Sequence, residues 1–338
     1  MLGLVATCGS LFSGIGGFCR GFESAGFVTR WAVDIDQEAC STYRLNHPST
    51  RILNRDIRTL VASELLPVDV LHAGFPCQSF SVAGNRRGFA DPRGALFFEI
   101  TRLLNEWGEA KPKVILLENS PGLKIGEHGS WFDRVRIDLQ KAGYWFNDMN
   151  CQILCTRLHG GLPQRRERLF LIATNRDHFT HNPFTKTTFD YPRLALSELL
   201  DIGLVDDDRY FLPEDTRYGA LIAEACRELG PNQLVQLRKH VLRPQPPDSC
   251  PTLTANMGLG GHNVPFLLDN GRLRKLTEWE CLRLQGFPSD FYWSTPALGS
   301  RYRMIGNSVS PRISHTLANT IMQFLGEESN DYGLEVPC

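Results

Sequence analysis

Residues 68–81, VDVLHAGFPCQSFS, decide how this chain is read. Val68 to Ala73 is a short apolar run closed by Gly74 and Pro76, the pattern of a strand buried in a parallel sheet. Open α/β sheets take their ligands beyond the carboxyl ends of the strands, and Cys77 falls there. Pro76 fixes its own φ and turns Phe75 away from helix, so the thiol is presented from a defined turn. That placement suits a nucleophile better than one more buried apolar cysteine.

Outward from that strand, residues 1–175 alternate strand-like and helix-like segments. Strands are expected at Val5 to Phe12, Val28 to Val33, Val68 to Ala73, Val114 to Leu117, Trp145 to Cys155 and Arg168 to Thr174. Helical spacing of three to four runs through Leu96, Phe97, Ile100, Leu103, Leu104 and Trp107, and again through Phe132, Val135 and Leu139. This is a layered α/β domain. From Asn182 to Asn270 the pattern dissolves under eight prolines between Pro183 and Pro251, and a separate irregular lobe is expected. Thr277 to Gln285 and Pro311 to Leu325 then read as helices. The expected division is 1–180 plus 296–338, 181–270, and a hinge at 271–295.

Composition bounds the function. The chain has 338 residues, 42% hydrophobic and 22% charged, enough for a large core and a second lobe. It has no secretory N-terminal pattern and no apolar run of about 18 residues, so a cytoplasmic protein without a membrane span is expected. Ten cysteines stand without CxxC pairs, and Cys151 and Cys155 suit neither a zinc knuckle nor a disulfide framework; reduced thiols and no metal are expected. A net charge of −1 excludes a strongly basic coat. Nucleic-acid binding would then rest on local patches such as Arg86-Arg87, Arg165 to Arg168 and Arg238 to Arg243.

Leu11 to Gly17, LFSGIGG, follows the first strand and opens a helix, so Gly14 and Gly16 let backbone pass close to a bound molecule. Asp34 ends the next strand, where an acid in nucleotide-binding folds accepts ribose hydroxyls. NAD and S-adenosylmethionine fit this equally. Seven stretches in order resemble the DNA (cytosine-5)-methyltransferases: FSGIGG with its following acid, Asp56-Ile57, GFPCQSFS, Glu118-Asn119-Ser120, Gln164-x-Arg166-x-Arg168, Thr277-x-x-Glu280-x-x-Arg283-Leu-Gln-Gly-Phe-Pro288, and Gly306-Asn307-Ser308-Val309. The likeness covers nearly the whole chain except about 182–250. Ser120 stands where relatives carry valine, and Ile35 where some carry an aromatic.

The resemblance implies a methyltransferase version of the doubly wound sheet with a smaller target-recognition domain, using S-adenosyl-L-methionine and releasing S-adenosyl-L-homocysteine. It places Phe12, Gly14, Ile15, Gly16, Asp34, Ile35, Asp56, Ile57, Pro76, Leu96, Asn307 and Val309 at the cofactor. Cys77 is then the nucleophile that adds to C6 of cytosine and makes C5 reactive. Glu118 holds the base and donates toward N3. Arg166 and Arg168 would favour the thiolate and balance charge at the base carbonyl, Arg168 foremost.

Such chemistry is impossible in a stacked duplex, so the cytosine must be flipped out. Ser79 to Gly94 reads as a closing lid with Gly84, Gly88 and Gly94 as hinges. Gln78, Ser81, Arg86, Arg87, Arg93, Gln164, Thr252 and Leu253 are the expected contacts to double-stranded DNA, with Arg238, Lys239 and Arg243 meeting phosphates or base edges. A monomer is expected. Whether a cognate restriction endonuclease acts at the same site stays open, as do three rivals. These are the tRNA-methylating branch of the family, a NAD-dependent oxidoreductase, and a catalytically silent DNA-binding relative.

Overall fold

The computed structural model describes residues 5–77, 79–80, 87–183, 187–229, 233–238, 240–258 and 264–331. Gln78, Ser81, Arg86, Gly84 and Lys239 therefore lie outside the described residues. Compactness divides the chain into two units, one of Met1–Leu154, Glu167–Phe189 and Pro311–Cys338, the other of Cys155–Arg166 and Asp190–Ser310.

The first unit runs β1 (Thr7–Leu11), α1 (Gly17–Ser24), β2 (Val28–Asp34), α2 (Gln37–Asn46), β3 (Arg51–Asn54), β4 (Val70–Ala73), α3 (Leu96–Trp107), β5 (Val114–Asn119), α4 (Gly122–Ile125), α5 (Ser130–Lys141), β6 (Tyr144–Trp145), β7 (Cys151–Cys155) and β8 (Glu167–Asn175). Its sheet has the order β3-β2-β1-β4-β5-β8-β6, with β7 beside β8. The β3, β2, β1, β4 and β5 neighbours are parallel, while β8 runs antiparallel to both β5 and β6. Strand order reverses between β1 and β4, which makes their carboxyl ends the crevice where such folds bind ligands.

Apolar side chains alternate to cover both faces. Leu11, Leu71, Ala73, Leu117 and Leu171 pack with Phe97, Leu103, Val135 and Leu139 of α3 and α5, each such side chain contributing about 1.5–3 kcal/mol on burial. The expected strand from Trp145 to Cys155 is two strands, because Asn147 caps a tight turn between them: its side chain accepts Met149 N–H at 2.8 Å while its own N–H donates to Asn150 Oδ1 at 2.9 Å. Asx turns of this kind compete with the ladder.

The second unit holds α6 (Thr156–His159), α7 (Arg217–Arg227), β9 (Val235–Arg238), β10 (Val241–Pro244), β11 (Phe266–Asp269), β12 (Arg272–Lys275), α8 (Glu278–Gln285) and α9 (Leu298–Asn307). The lobe expected to be irregular thus contains a four-stranded sheet, β10-β9-β11-β12. One face buries Val235, Leu237, Phe266 and Leu273 against Ile222, Ala223 and Cys226 of α7. Its prolines flank the elements rather than break them, and Pro244 ends the edge strand, where a missing N–H costs no ladder bond. Residues 271–310 fall in this unit, unlike the division drawn from sequence.

The chain returns to the first unit with α10 (Pro311–Asp331). This helix lies against α1 so closely that a Cβ on Gly21 would stand 2.5 Å from the His315 nitrogen. Ser314 Oγ donates to the Phe18 carbonyl at 2.8 Å.

Candidate active site

The turn after β4, the end of β5 and the start of β8 adjoin, and they carry Cys77, Glu118 and Arg168. Cys77 is half-buried in the turn after β4, and its carbonyl accepts Phe80 N–H at 3.0 Å. Asn119 Nδ2 donates to the Phe75 carbonyl at 3.1 Å, tying that turn to the end of β5. Ala73 is paired with Leu117, so the Pro-Cys turn leaves the sheet beside Glu118. Glu118, opposite Phe170 on β8, shares its face with Arg168 two residues on. Arg168 Nε meets Glu118 Oε1 at 3.0 Å, with side-chain exposures of 17% and 9%.

A half-buried thiol after β4 and a partly shielded carboxylate–guanidinium pair thus stand on neighbouring strands. Burial pushes Cys19 and Cys40 up to about 12 and Cys226 up to about 11, and it raises Cys8, Cys250 and Cys281 too. Those sulfurs stay protonated at neutral pH and make poor nucleophiles. Among the described residues all nine cysteines are free.

The glycine loop closes against Asp34. Its carboxylate accepts Gly14 N–H at 2.7 Å and Asp36 N–H at 2.8 Å. Burial holds the Asp34 carboxyl above the ordinary range, and these two backbone bonds pull it back. Gly16 is left-handed, with φ 89°, which a side chain rarely tolerates. A Cβ on Gly14 would meet nothing within 4 Å, so the loop fronts open space. Ile35, just past β2, is 66% exposed. Phe12 and Leu96 pack on the core from beside the crevice, Ile15 and Ile57 are buried, and Asp56 caps the turn at Ile57 while paired with Arg58. Open space over a glycine turn, a carboxylate and an uncovered apolar side chain fit the amino-acid, ribose and adenine parts of S-adenosylmethionine.

Arg166 and Arg168 part company. Arg166, in the second unit, is 3% exposed and donates to the carbonyls of Leu253 at 2.7 Å, Gly306 at 3.1 Å and Ser308 at 2.9 Å. Gln164, also buried, donates to Leu284 O at 3.0 Å and Gln285 Oε1 at 2.8 Å, and accepts Leu253 N–H at 3.1 Å. Thr252 Oγ1 donates to the Arg165 carbonyl at 2.6 Å. Asn307 is exposed and Val309 buried; both lie in the second unit.

In the expected lid, Arg87 is exposed, whereas Arg93 forks onto Asp91 at 3.0 and 2.9 Å. Gly88 and Gly94 are close-approach positions instead of free hinges. A Cβ on Gly88 would lie 2.3 Å from the Trp131 ring, and one on Gly94 2.1 Å from the Gly88 carbonyl. Sequence reasoning gave no role to Asn119, which ties the Pro-Cys turn, nor to His47 and Glu23, which back the glycine loop. The signal for Asn119 was its place beside Glu118 at a strand end. Among the described residues, no cluster of three or more His, Cys, Asp or Glu could hold a metal, and no helix is long and apolar enough to cross a membrane.

The chain is similar to known proteins along most of its length. The family described as C-5 cytosine-specific DNA methylase matches residues 6–323. The Type II methyltransferase M.Bsp6I of Bacillus sp. (strain RFL6) is 36% identical over 92% of this chain and 97% of its own length. M.HhaI of Haemophilus parahaemolyticus is 30% identical over 92% of each. The solved Entamoeba histolytica methyltransferase EhMeth superposes with a TM-score of 0.71 at 20% identity, covering 95% of this chain and 99% of that one, a likeness of fold. With the family matching residues 6–323 and relatives 30% or more identical across nine-tenths of it, the chain belongs to the C-5 cytosine-specific DNA methylases, enzymes that methylate cytosine in DNA.

Proposed function

We propose that the first unit methylates C5 of a cytosine flipped out of a specific double-stranded DNA sequence, through a covalent bond from Cys77 to C6. The observation that carries this reading is the Glu118–Arg168 pair at 3.0 Å on β5 and β8, next to the strand that delivers the half-buried Cys77. The thiolate forms a C–S bond at C6, and the displaced ring electrons make C5 nucleophilic. Glu118 hydrogen-bonds N3 and the exocyclic amine of the base, and Arg168 both orients Glu118 and balances charge growing on the ring. S-adenosylmethionine, when bound, supplies the methyl group that C5 attacks. Loss of the C5 proton, with water as acceptor, then expels the Cys77 thiolate and restores the aromatic ring.

Phe12, the Gly14–Gly16 turn, Asp34, Ile35, Asp56, Ile57, Pro76 and Leu96 hold the cofactor in this reading, Asp34 taking the ribose hydroxyls and Ile35 an adenine face. Arg166 acts by tying its own segment to the carbonyls of Leu253, Gly306 and Ser308 rather than by touching the base. The second unit reads the target sequence, and Arg87 meets phosphate. Bisulfite sequencing of plasmid from a methylation-free host expressing the chain tests the function. Protection of one cytosine within a recurring short sequence is expected; no protected cytosine, or methyl label entering RNA instead of DNA, contradicts it.

A further inference from the structure

The two chain crossovers that flank the glycine loop and Asp34 are joined behind the loop by a single imidazole. His47 follows α2 directly, and its Nδ1 meets Oε2 of Glu23, on the last turn of α1, at 2.8 Å. Its ring stacks on buried Tyr43 at 4.3 Å between centroids and 25° between planes. The side chain is 1% exposed. The other oxygen of Glu23 accepts Thr29 Oγ1 at 2.8 Å, so the carboxylate is fixed from both sides. A hydrogen-bonded, stacked and buried ring has one available orientation.

The free edge of that ring points at the loop. A Cβ built on Gly16 would stand 2.2 Å from His47 Nε2 and 2.8 Å from Cδ2. The imidazole thus occupies the space behind Gly16, the last of the three positive-φ residues, after Phe12 and Gly14, that carry β1 into α1. Behind Gly16 is ring; in front of Gly14 nothing stands within 4 Å. A loop backed on one side and open on the other is preorganised for a ligand.

We propose that His47, oriented by Glu23 and Tyr43, is a positioning residue for S-adenosylmethionine: it backs Gly16 and so holds the glycine turn in the shape that receives the amino-acid end of the cofactor. The proposal rests on the reading of that loop as the cofactor site. His47 touches neither cofactor nor base. Its loss loosens a preformed site, so the effect falls on cofactor affinity and spares DNA affinity.

The test is calorimetric titration of S-adenosylmethionine and S-adenosylhomocysteine into the full chain, with DNA binding and thermal unfolding followed in parallel. His47→Ala is expected to weaken both ligands about tenfold, a shift of about 1.4 kcal/mol, with DNA affinity unchanged. His47→Gln, which keeps a planar polar group toward Glu23, should recover part of that loss. Gly16→Ala should weaken both ligands as well, and adding His47→Ala to it should restore affinity in part, since the clash at 2.2 Å is removed. Plain loss of stability produces no such rescue. If His47→Ala fails to fold, His47→Gln and Glu23→Gln decide. Asp34→Ala is the control for the loop itself. Weaker binding in Asp34→Ala with unchanged binding in the His47 and Glu23 variants overturns the positioning role alone. Unchanged binding in all of them overturns the cofactor reading and this proposal with it.

Discussion

Two arginine–carboxylate clusters in this chain do opposite things. Arg168 Nε meets Glu118 at 3.0 Å at adjoining strand ends, with the side chain 17% exposed. Arg274, in the second unit, is fully buried and held by Asp269 at 2.6 Å and by both oxygens of Glu280 at 2.9 Å. Glu280 in turn accepts Thr277 N–H at 2.7 Å, closing the cap of α8. Arg274 fastens β12 to α8 and has nothing left for a ligand. Arg168 gives Nη1 to the Glu167 carbonyl at 2.7 Å as well, yet its side chain keeps 17% exposure. Fully buried charge is structure; partly exposed charge at the mouth of a sheet is chemistry.

The largest effect that separates them is on stability. Arg274→Ala strands two carboxylates in the interior and should cost about 3–5 kcal/mol, read from urea unfolding. A cost below about 1 kcal/mol would erase the contrast. Glu118→Gln should do the reverse, lowering turnover about 10²- to 10⁴-fold while moving the unfolding midpoint little. The comparison breaks if that variant unfolds as readily as Arg274→Ala.

Smaller effects sharpen the picture at the first unit's other features. Asp34→Ala should weaken S-adenosylmethionine by about 1–3 kcal/mol, the loss of a hydrogen-bond partner for the ribose, without altering DNA affinity. Calorimetry that finds the same cofactor affinity removes Asp34 from the site. Smallest is the difference between two lid arginines. Arg87→Ala should lower the slope of log affinity against log salt by about 0.9, one phosphate contact. Arg93→Ala should change it less, because its guanidinium is already taken up by Asp91. Equal slopes for the two variants would show that the Asp91 fork opens on DNA.

These contrasts also mark what could be read from the sequence. The β4 strand, the Pro-Cys turn and the glycine loop were legible because each is local: an apolar run, a proline, a set of glycines. The family's sheet followed from them. Arg166 and Arg168 were not separable on the page, since Arg166 finds its carbonyl partners 87, 140 and 142 residues away, and no local pattern encodes that. The sheet of the second unit was hidden by prolines that terminate its strands, as Pro244 does at the β10 edge. His47 stayed unnoticed for the same non-local reason, its carboxylate partner lying on α1, 24 residues back. Close approach at Gly88 likewise looked like freedom, because the Trp131 ring that fills the space comes from α5.

The central claim is that Cys77 bonds to C6 before the methyl group moves, and one measurement reaches it directly. Replace the hydrogen at C5 of the target cytosine with fluorine and present this DNA with S-adenosylmethionine. Methyl transfer can proceed, but elimination needs a group that leaves as a cation, and fluorine does not. Enzyme and DNA should stay joined in a complex that survives denaturing electrophoresis, forms only with the methyl donor, and maps by mass spectrometry to Cys77. Cys77→Ser should form none while still binding DNA, because a serine hydroxyl is largely protonated at neutral pH and far less nucleophilic. An adduct at any other of the ten cysteines, or none from enzyme that methylates ordinary cytosine, contradicts the account.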